Sequence, residues 1–178
     1  MMHEDDLLTS SRLKLRRTKP TDLEFVIETE HDPENKPFIS QWSYEQHLSA
    51  IFDRDCLHLV AEERRGQLVG YAIIFGVENV HSNIELMRIA ISDQGKGYGK
   101  ELLRLIQQYV FVKMQAHRLW LDVKEHNYRA QNLYEQLGFQ IEGKLRECIK
   151  TSDGYDSLFI MSLLKREYES LLKEPQLK

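Results

Sequence analysis

The chain has 178 residues, 42% of them apolar and 29% charged, with a formal net charge of −4. That length makes one domain with a real core, and the composition is that of an ordinary globular protein. No apolar run is long enough to span a bilayer, the start Met1-Met2-His3-Glu4-Asp5-Asp6 has no signal-peptide pattern, and the mild negative charge without a basic stripe argues against nucleic acid as a partner.

In chain order, residues 1–10 read as a flexible leader, 11–164 as one domain and 165–178 as a short polar helix or tail. Residues 12–16 alternate Leu13 and Leu15 with basic residues, a strand with one buried face. Pro20-Thr21-Asp22 is a helix start, followed by the apolar stripe Leu23, Val26 and Ile27, and this helix ends before Pro33. After a proline-containing loop, Ser43-Tyr44-Glu45-Gln46 is a capping box opening a second helix. Residues 56–62 and 68–77 flank Glu63-Arg64-Arg65-Gly66-Gln67 as a hairpin, with Gly70 marking a bulge or a close backbone approach. The run 85–91 pairs antiparallel with the second of these strands.

Next come the glycine turn Gln94-Gly95-Lys96-Gly97-Tyr98-Gly99 and a helix with apolar Leu103, Ile106, Val110 and Met114 on one side. The strand Leu119-Trp120-Leu121-Asp122-Val123 then leads through Asn127 into a helix closing at Gly138, and strands at 141–149 and 157–164 follow around the turn Ser152-Asp153-Gly154. Strand, glycine turn, helix and strand in this order favour a parallel crossover with a ligand site beyond the strand ends. Gly95, Gly97 and Gly99 permit positive φ and a close ligand approach. The unpaired amides of the helix start, with Lys96 and Lys100 nearby, favour an anion there. The turn is therefore a pyrophosphate cradle or a plain loop with a helix start, and it matches neither the P-loop nor the strict dinucleotide pattern. Cys56 and Cys148 fit no disulfide framework or metal spacing; both read as buried thiols of a reduced, cytoplasmic protein. The seven histidines are scattered without an H-x-x-x-H pair, so no metal is expected.

The glycine turn resembles the Q/R-x-x-G-x-G/A signature of the GNAT superfamily of N-acetyltransferases. Asn127-Tyr128-Arg129-Ala130-Gln131-Asn132-Leu133-Tyr134-Glu135-Gln136-Leu137-Gly138-Phe139 resembles that family's second motif, N-x-x-A-x-x-L-Y-x-x-x-G-F. The resemblance covers most of the chain and is specific over residues 85–139. It implies a single α/β (α+β) domain whose central, mixed and mostly antiparallel twisted sheet has about six to seven strands. Helices would flank this sheet, and a parallel strand pair would splay around the site of acetyl-CoA. It also implies that residues 94–100 (Gln94, Gly95, Lys96, Gly97, Tyr98, Gly99 and Lys100) hold the pyrophosphate, and that the backbone of Ile89, Ala90 and Ile91, with Asn127, Ala130 and Tyr134, meets the pantetheine arm. The spacer Ser92-Asp93 is shorter than the family's commoner one, which leaves the register of Glu85 open.

Acyl transfer from a thioester needs an acceptor amine that has lost its proton, a donor for the developing oxyanion and a proton for the leaving thiolate. Tyr134 is the candidate acid, the alternative being a core tyrosine satisfied by backbone. Glu85 is the candidate base, directly or through water, the alternative being an exposed strand-end carboxylate. Strict alternation would put Glu85, Met87, Ile89 and Ile91 on one strand face. Asn127 is an N-cap by local logic. Glu28, Glu30, Asp32 and Glu34 could receive a cationic amine or simply form a solvated helix face and loop. The cysteines lie outside both motifs, which favours direct transfer. Arg12-Leu13-Lys14-Leu15-Arg16, with the segment 139–146, resembles the branch of the family containing ribosomal-protein N-terminal and polyamine acetyltransferases. The expected acceptor is therefore a polyamine or other small amine, with a protein N-terminus as the alternative and a CoA-binding sensor without turnover as the rival class. Open sheet edges would permit a homodimer.

Overall fold

The computed structural model describes residues 6–173. Eight strands form one sheet in the order β1-β2-β3-β4-β5-β6-β8-β7. They are β1 (Asp6–Thr9), β2 (Leu13–Arg17), β3 (Cys56–Glu63), β4 (Leu68–Phe75), β5 (Asn83–Ile91), β6 (Arg118–Lys124), β7 (Gln140–Lys150) and β8 (Tyr155–Leu164). The helices are α1 (Leu23–His31), α2 (Tyr44–Phe52), α3 (Tyr98–Gln108), α4 (Tyr128–Gln136) and α5 (Lys165–Lys173). The strand beyond the expected number is β1, drawn from the stretch read as leader. It pairs antiparallel with β2, and Leu8 is buried against the core. Residues 1–5 of that leader and residues 174–178 lie outside the described residues.

Two apolar clusters sandwich the sheet. On one face α3, α4 and α5 bring Leu103, Ile106, Tyr134 and Tyr168 against Leu13, Leu15, Ala72 and Leu121. On the other, α1 and α2 bring Leu23, Val26 and Ala50 against Val60, Tyr71 and Ile73. The expected capping box opens α2: Ser43 Oγ accepts from the Gln46 amide at 3.3 Å, and Gln46 Oε1 accepts from the Ser43 amide at 2.8 Å. Such a cap contributes about 1 kcal/mol. The helix expected to run on to Met114 instead leaves α-geometry after Gln108 and takes a π-helical turn, Tyr109–Lys113. The wider turn lets the consecutive residues Val110 and Phe111 both point inward. Gly70 is a close-approach glycine: a Cβ there would lie 2.6 Å from Ile91 Cδ1 and 2.7 Å from the Ala90 carbonyl.

Cys56 is buried as expected, and burial, with Asp53 and Asp55 nearby, pushes its thiol up to about 12. Cys148 is not a core residue. It is exposed on β7, an edge strand whose residues are all exposed.

Two features of β5 position the site. It is the parallel partner of β6, but the pairing stops after Asn83↔Arg118, Ile84↔Leu119 and Glu85↔Trp120; beyond those residues the two strands diverge. Its register against β4 also shifts between Leu86 and Arg88, which makes Met87 a bulge. The bulge overturns the strict alternation. Ile89 and Ile91 share the α3 face with Leu86, whereas Glu85, Arg88 and Ala90 stand opposite Phe75, Ile73 and Tyr71 on the α1–α2 face.

Candidate active site

Where β5 and β6 part, the chain forms a cleft of about 1190 Å³. One wall is β5 from Glu85 onward with the glycine turn, a second is β6 with the start of α4, and a third is the segment 34–41 between α1 and α2.

In the turn, Gly95 (φ 83°) and Gly97 (φ 79°) take the left-handed conformation. Gly99 does not; it is an ordinary residue inside α3, because Gly97 already serves as the N-cap. That cap has no side-chain partner, so the first amides of α3 stay available to a ligand. The turn is pinned from behind. Arg12 pairs with Glu101 at 2.6 Å and donates through Nη1 to the Lys96 carbonyl at 2.9 Å. Lys96 is paired with Asp93, Lys100 Nζ reaches Gln136 at 3.4 Å, and the Tyr98 hydroxyl donates to Glu63, which raises its pKa. Gln94 Nε2 donates to Asn35 Oδ1 at 3.0 Å, while Gln94 Oε1 is buried without a partner. These amides suit an anion, and the orphaned oxygen suits an N–H donor, so the turn fits the diphosphate and amide groups of CoA.

Ile89, Ala90 and Ile91 line the same wall, though the Ile91 carbonyl already accepts from Asn35 Nδ2 at 3.0 Å. Asn127 caps α4 by accepting from the Ala130 amide at 3.2 Å, and among the described residues its side-chain NH₂ has no partner. Gln131, which nothing local in the sequence singles out, ties the β6–α4 junction by donating to the Lys124 and Glu125 carbonyls at 3.0 and 2.9 Å. Tyr134 is buried with its ring 5.8 Å from Phe139. Among the described residues its hydroxyl has no hydrogen-bond partner, and burial together with Asp122 holds its pKa above the ordinary phenol value.

Sequence reasoning missed Asp122. Trp120 stands opposite Glu85, so Asp122, two residues on, continues the same face of β6 across the split. It is open to water on the cleft wall but crowded by protein, and this crowding raises its pKa. The Glu85 pKa is raised too, by burial and then by Asp122. Neither carboxylate has a cation partner among the described residues. A lone acid within an apolar strand was the available signal.

The acidic residues of the α1 region divide. Glu28 is exposed, Asp32 Oδ1 accepts from the Glu34 amide at 2.8 Å, and Glu34 pairs with Arg129 across the cleft at 3.3 Å. Glu30 is not available to an amine. It is fully buried, accepting from Arg88 Nη1 at 2.5 Å, the Tyr71 hydroxyl at 2.7 Å and the Trp42 amide at 2.9 Å. No group of three or more His, Cys, Asp or Glu among the described residues is arranged for a metal, and no described helix is long and apolar enough to cross a membrane.

Comparison with known proteins agrees with this geometry. The model of the acetyltransferase (GNAT) family matches residues 22–139. A spermidine N(1)-acetyltransferase of Vibrio cholerae is 28% identical over 89% of this chain and 96% of its own. A candidate [ribosomal protein bS18]-alanine N-acetyltransferase of Bacillus subtilis is 28% identical over 84% of this chain and 95% of its own. The crystal structure of the Vibrio cholerae spermidine N-acetyltransferase in complex with CoA and spermine superposes with a TM-score of 0.81 at 26% identity, covering 90% of this chain and 99% of that one. The chain belongs to the acetyltransferase (GNAT) family and is an acetyl-CoA-dependent N-acetyltransferase.

Proposed function

We propose that this enzyme acetylates a polyamine or other small primary amine by direct attack, with residues 94–100 (Gln94, Gly95, Lys96, Gly97, Tyr98, Gly99 and Lys100), Ile89, Ala90, Ile91, Asn127 and Ala130 holding acetyl-CoA. The observation that carries this reading is the pair Glu85 and Asp122, two carboxylates that line one cleft without cation partners among the described residues, beside a tyrosine with a free hydroxyl. Such a pair attracts an alkylammonium, and its raised pKa values suit it to take the ammonium proton at neutral pH. The freed nitrogen forms the C–N bond as the C–S bond breaks. Tyr134 gives its phenolic proton to the departing sulfur and is reprotonated by the second proton, which the nitrogen sheds as it becomes an amide; the first proton, taken by the carboxylates, returns to solvent. The spermine-bound Vibrio cholerae structure supports the same acceptor class.

A protein α-amine is the second reading, favoured by the Bacillus subtilis relative. The test is release of CoA thiol from acetyl-CoA with spermidine, spermine, simple amines and peptides bearing free N-termini. Saturable release with polyamines is expected; release with peptides alone would install the second reading. Acetyl-CoA binding without turnover on any amine would make the protein a sensor. A homodimer through the exposed β7 edge accompanies the proposal, and sedimentation checks it.

A further inference from the structure

Behind the acceptor wall lies a buried polar chain that the reaction does not use. Thr18 Oγ1 contacts His58 Nδ1 at 2.8 Å, His58 Nε2 contacts His47 Nδ1 at 3.1 Å, and His47 Nε2 lies 3.2 Å from Glu30 Oε1. The last contact is close enough for electrostatic attraction but off line for a well-formed hydrogen bond. The chain ends where Glu30 meets Arg88, and Arg88 is the informative member. On β5 it is the next residue after the Met87 bulge on the same face as Glu85, and it lines the cleft. A guanidinium there could neutralise Glu85 and repel a cationic acceptor. Instead it turns to Glu30 and lies under the Trp42 ring, 4.5 Å from its centre. No ion pair joins it to Glu85 among the described residues. Glu30 also takes the Trp42 amide, and so fixes the end of the segment that walls the acceptor side.

We propose that Glu30 is a positioning residue for the amine acceptor: it draws the Arg88 guanidinium back under Trp42, away from the Glu85–Asp122 pair, and so keeps that end of the cleft negative. This rests on the proposed amine acceptor. Tyr71 from β4, His47 from α2, Trp42 and Arg88 are the groups that face Glu30, and burial opposes its charge. The close contact with His47, the hydrogen bonds from Tyr71 and the Trp42 amide, and the Arg88 charge outweigh that penalty and hold the carboxyl at about 2.

The test compares Glu30→Gln with the double variant Glu30→Gln/Arg88→Gln. Glu30→Gln keeps an acceptor for Trp42 but frees the cation. Its KM for spermidine should rise about tenfold, the size of one close charge effect, and the acid limb of its kcat/KM profile should move to lower pH. Its affinity for acetyl-CoA should be unchanged. The double variant, with no cation to release, should return both amine readouts toward wild type. Equal losses for amine and acetyl-CoA in both variants, or an unmoved amine KM in Glu30→Gln, overturn the proposal. In a Trp120→Phe background, which leaves Trp42 as the one tryptophan, spermidine should change the Trp42 emission saturably, and a flat titration also overturns it even if Glu30→Gln does not fold. Loss of turnover on all amines in the wild type would instead strike the function reading and leave the Arg88 geometry as it is.

Discussion

The glycine turn and the segment 33–42 face the same cleft and differ in what they offer to a ligand. At the turn the groups offered to a ligand are backbone amides, placed by two positive φ values and the start of α3. Segment 33–42 is fixed by side-chain hydrogen bonds that tie it to α1 and β5. Asn35 donates to the Thr29 and Ile91 carbonyls, and the Trp42 amide is held by Glu30. The first wall should therefore tolerate changes of an exposed side chain such as Lys96 and fail when a Cβ is added at a glycine or a dihedral angle is altered. The second should accept backbone neighbours freely and fail when one buried polar atom is removed, because a buried group left without its partner carries the full desolvation penalty.

The largest effect is expected where the walls meet. Tyr134→Phe removes the proton donor and little volume, so kcat/KM should fall by about 10²–10³-fold, within the range of general acid catalysis. Acetyl-CoA affinity, measured by calorimetry, should stay at the wild-type value; a parallel loss of binding would make Tyr134 a packing residue. Next come Glu85→Gln and Asp122→Asn. If the two carboxylates act as one unit, each single change should cost about tenfold and the double change little more than either alone. Both pKa values are raised, so in the wild type kcat/KM should be lost, as pH falls, above the ordinary carboxylate range near 4.

On the backbone-built wall, Gly97→Ala should cost about 1–2 kcal/mol of stability through its left-handed φ. Acetyl-CoA binding should weaken about tenfold as the helix start shifts, with the amine KM unmoved. An equal rise of both KM values would mean that the two walls are not separable in this way.

The same contrast explains what could be read from the sequence. The turn, the cap at Asn127, the capping box at Ser43 and the position of Tyr134 are local patterns, and local patterns survive without coordinates. The face of Glu85 did not, because a bulge at Met87 is invisible in a residue list and reverses every side chain beyond it. Glu30 looked like any acid on a helix, since its burial comes from Arg88, Tyr71 and Trp42 at long sequence separation. Cys148 sits in an apolar-looking run that turned out to be an edge strand. β1 is short and preceded by charged residues, so the pairing that fixes it had no signature of its own.

The last expected effect is on stability alone and concerns the chain behind the acceptor wall. Burial first, then the neighbouring His47, lower the His58 pKa to about 3. An unfolded histidine titrates near 6.5. Between those values the unfolded state binds a proton that the folded state refuses, so this group's contribution to stability is complete above about 6.5 and is lost as pH falls toward 3, at up to about 1.4 kcal/mol per pH unit. Glu85 and Asp122, whose folded pKa values are raised, oppose that slope, so the quantity to measure is a difference between proteins. His58→Gln can still donate to His47 and accept from Thr18 without titrating. Its urea midpoint should fall less than that of the wild type between pH 6.5 and 4. Parallel curves would mean that His58 carries its proton inside the fold, and the buried chain would then be a charged one pulling on Glu30 in competition with Arg88.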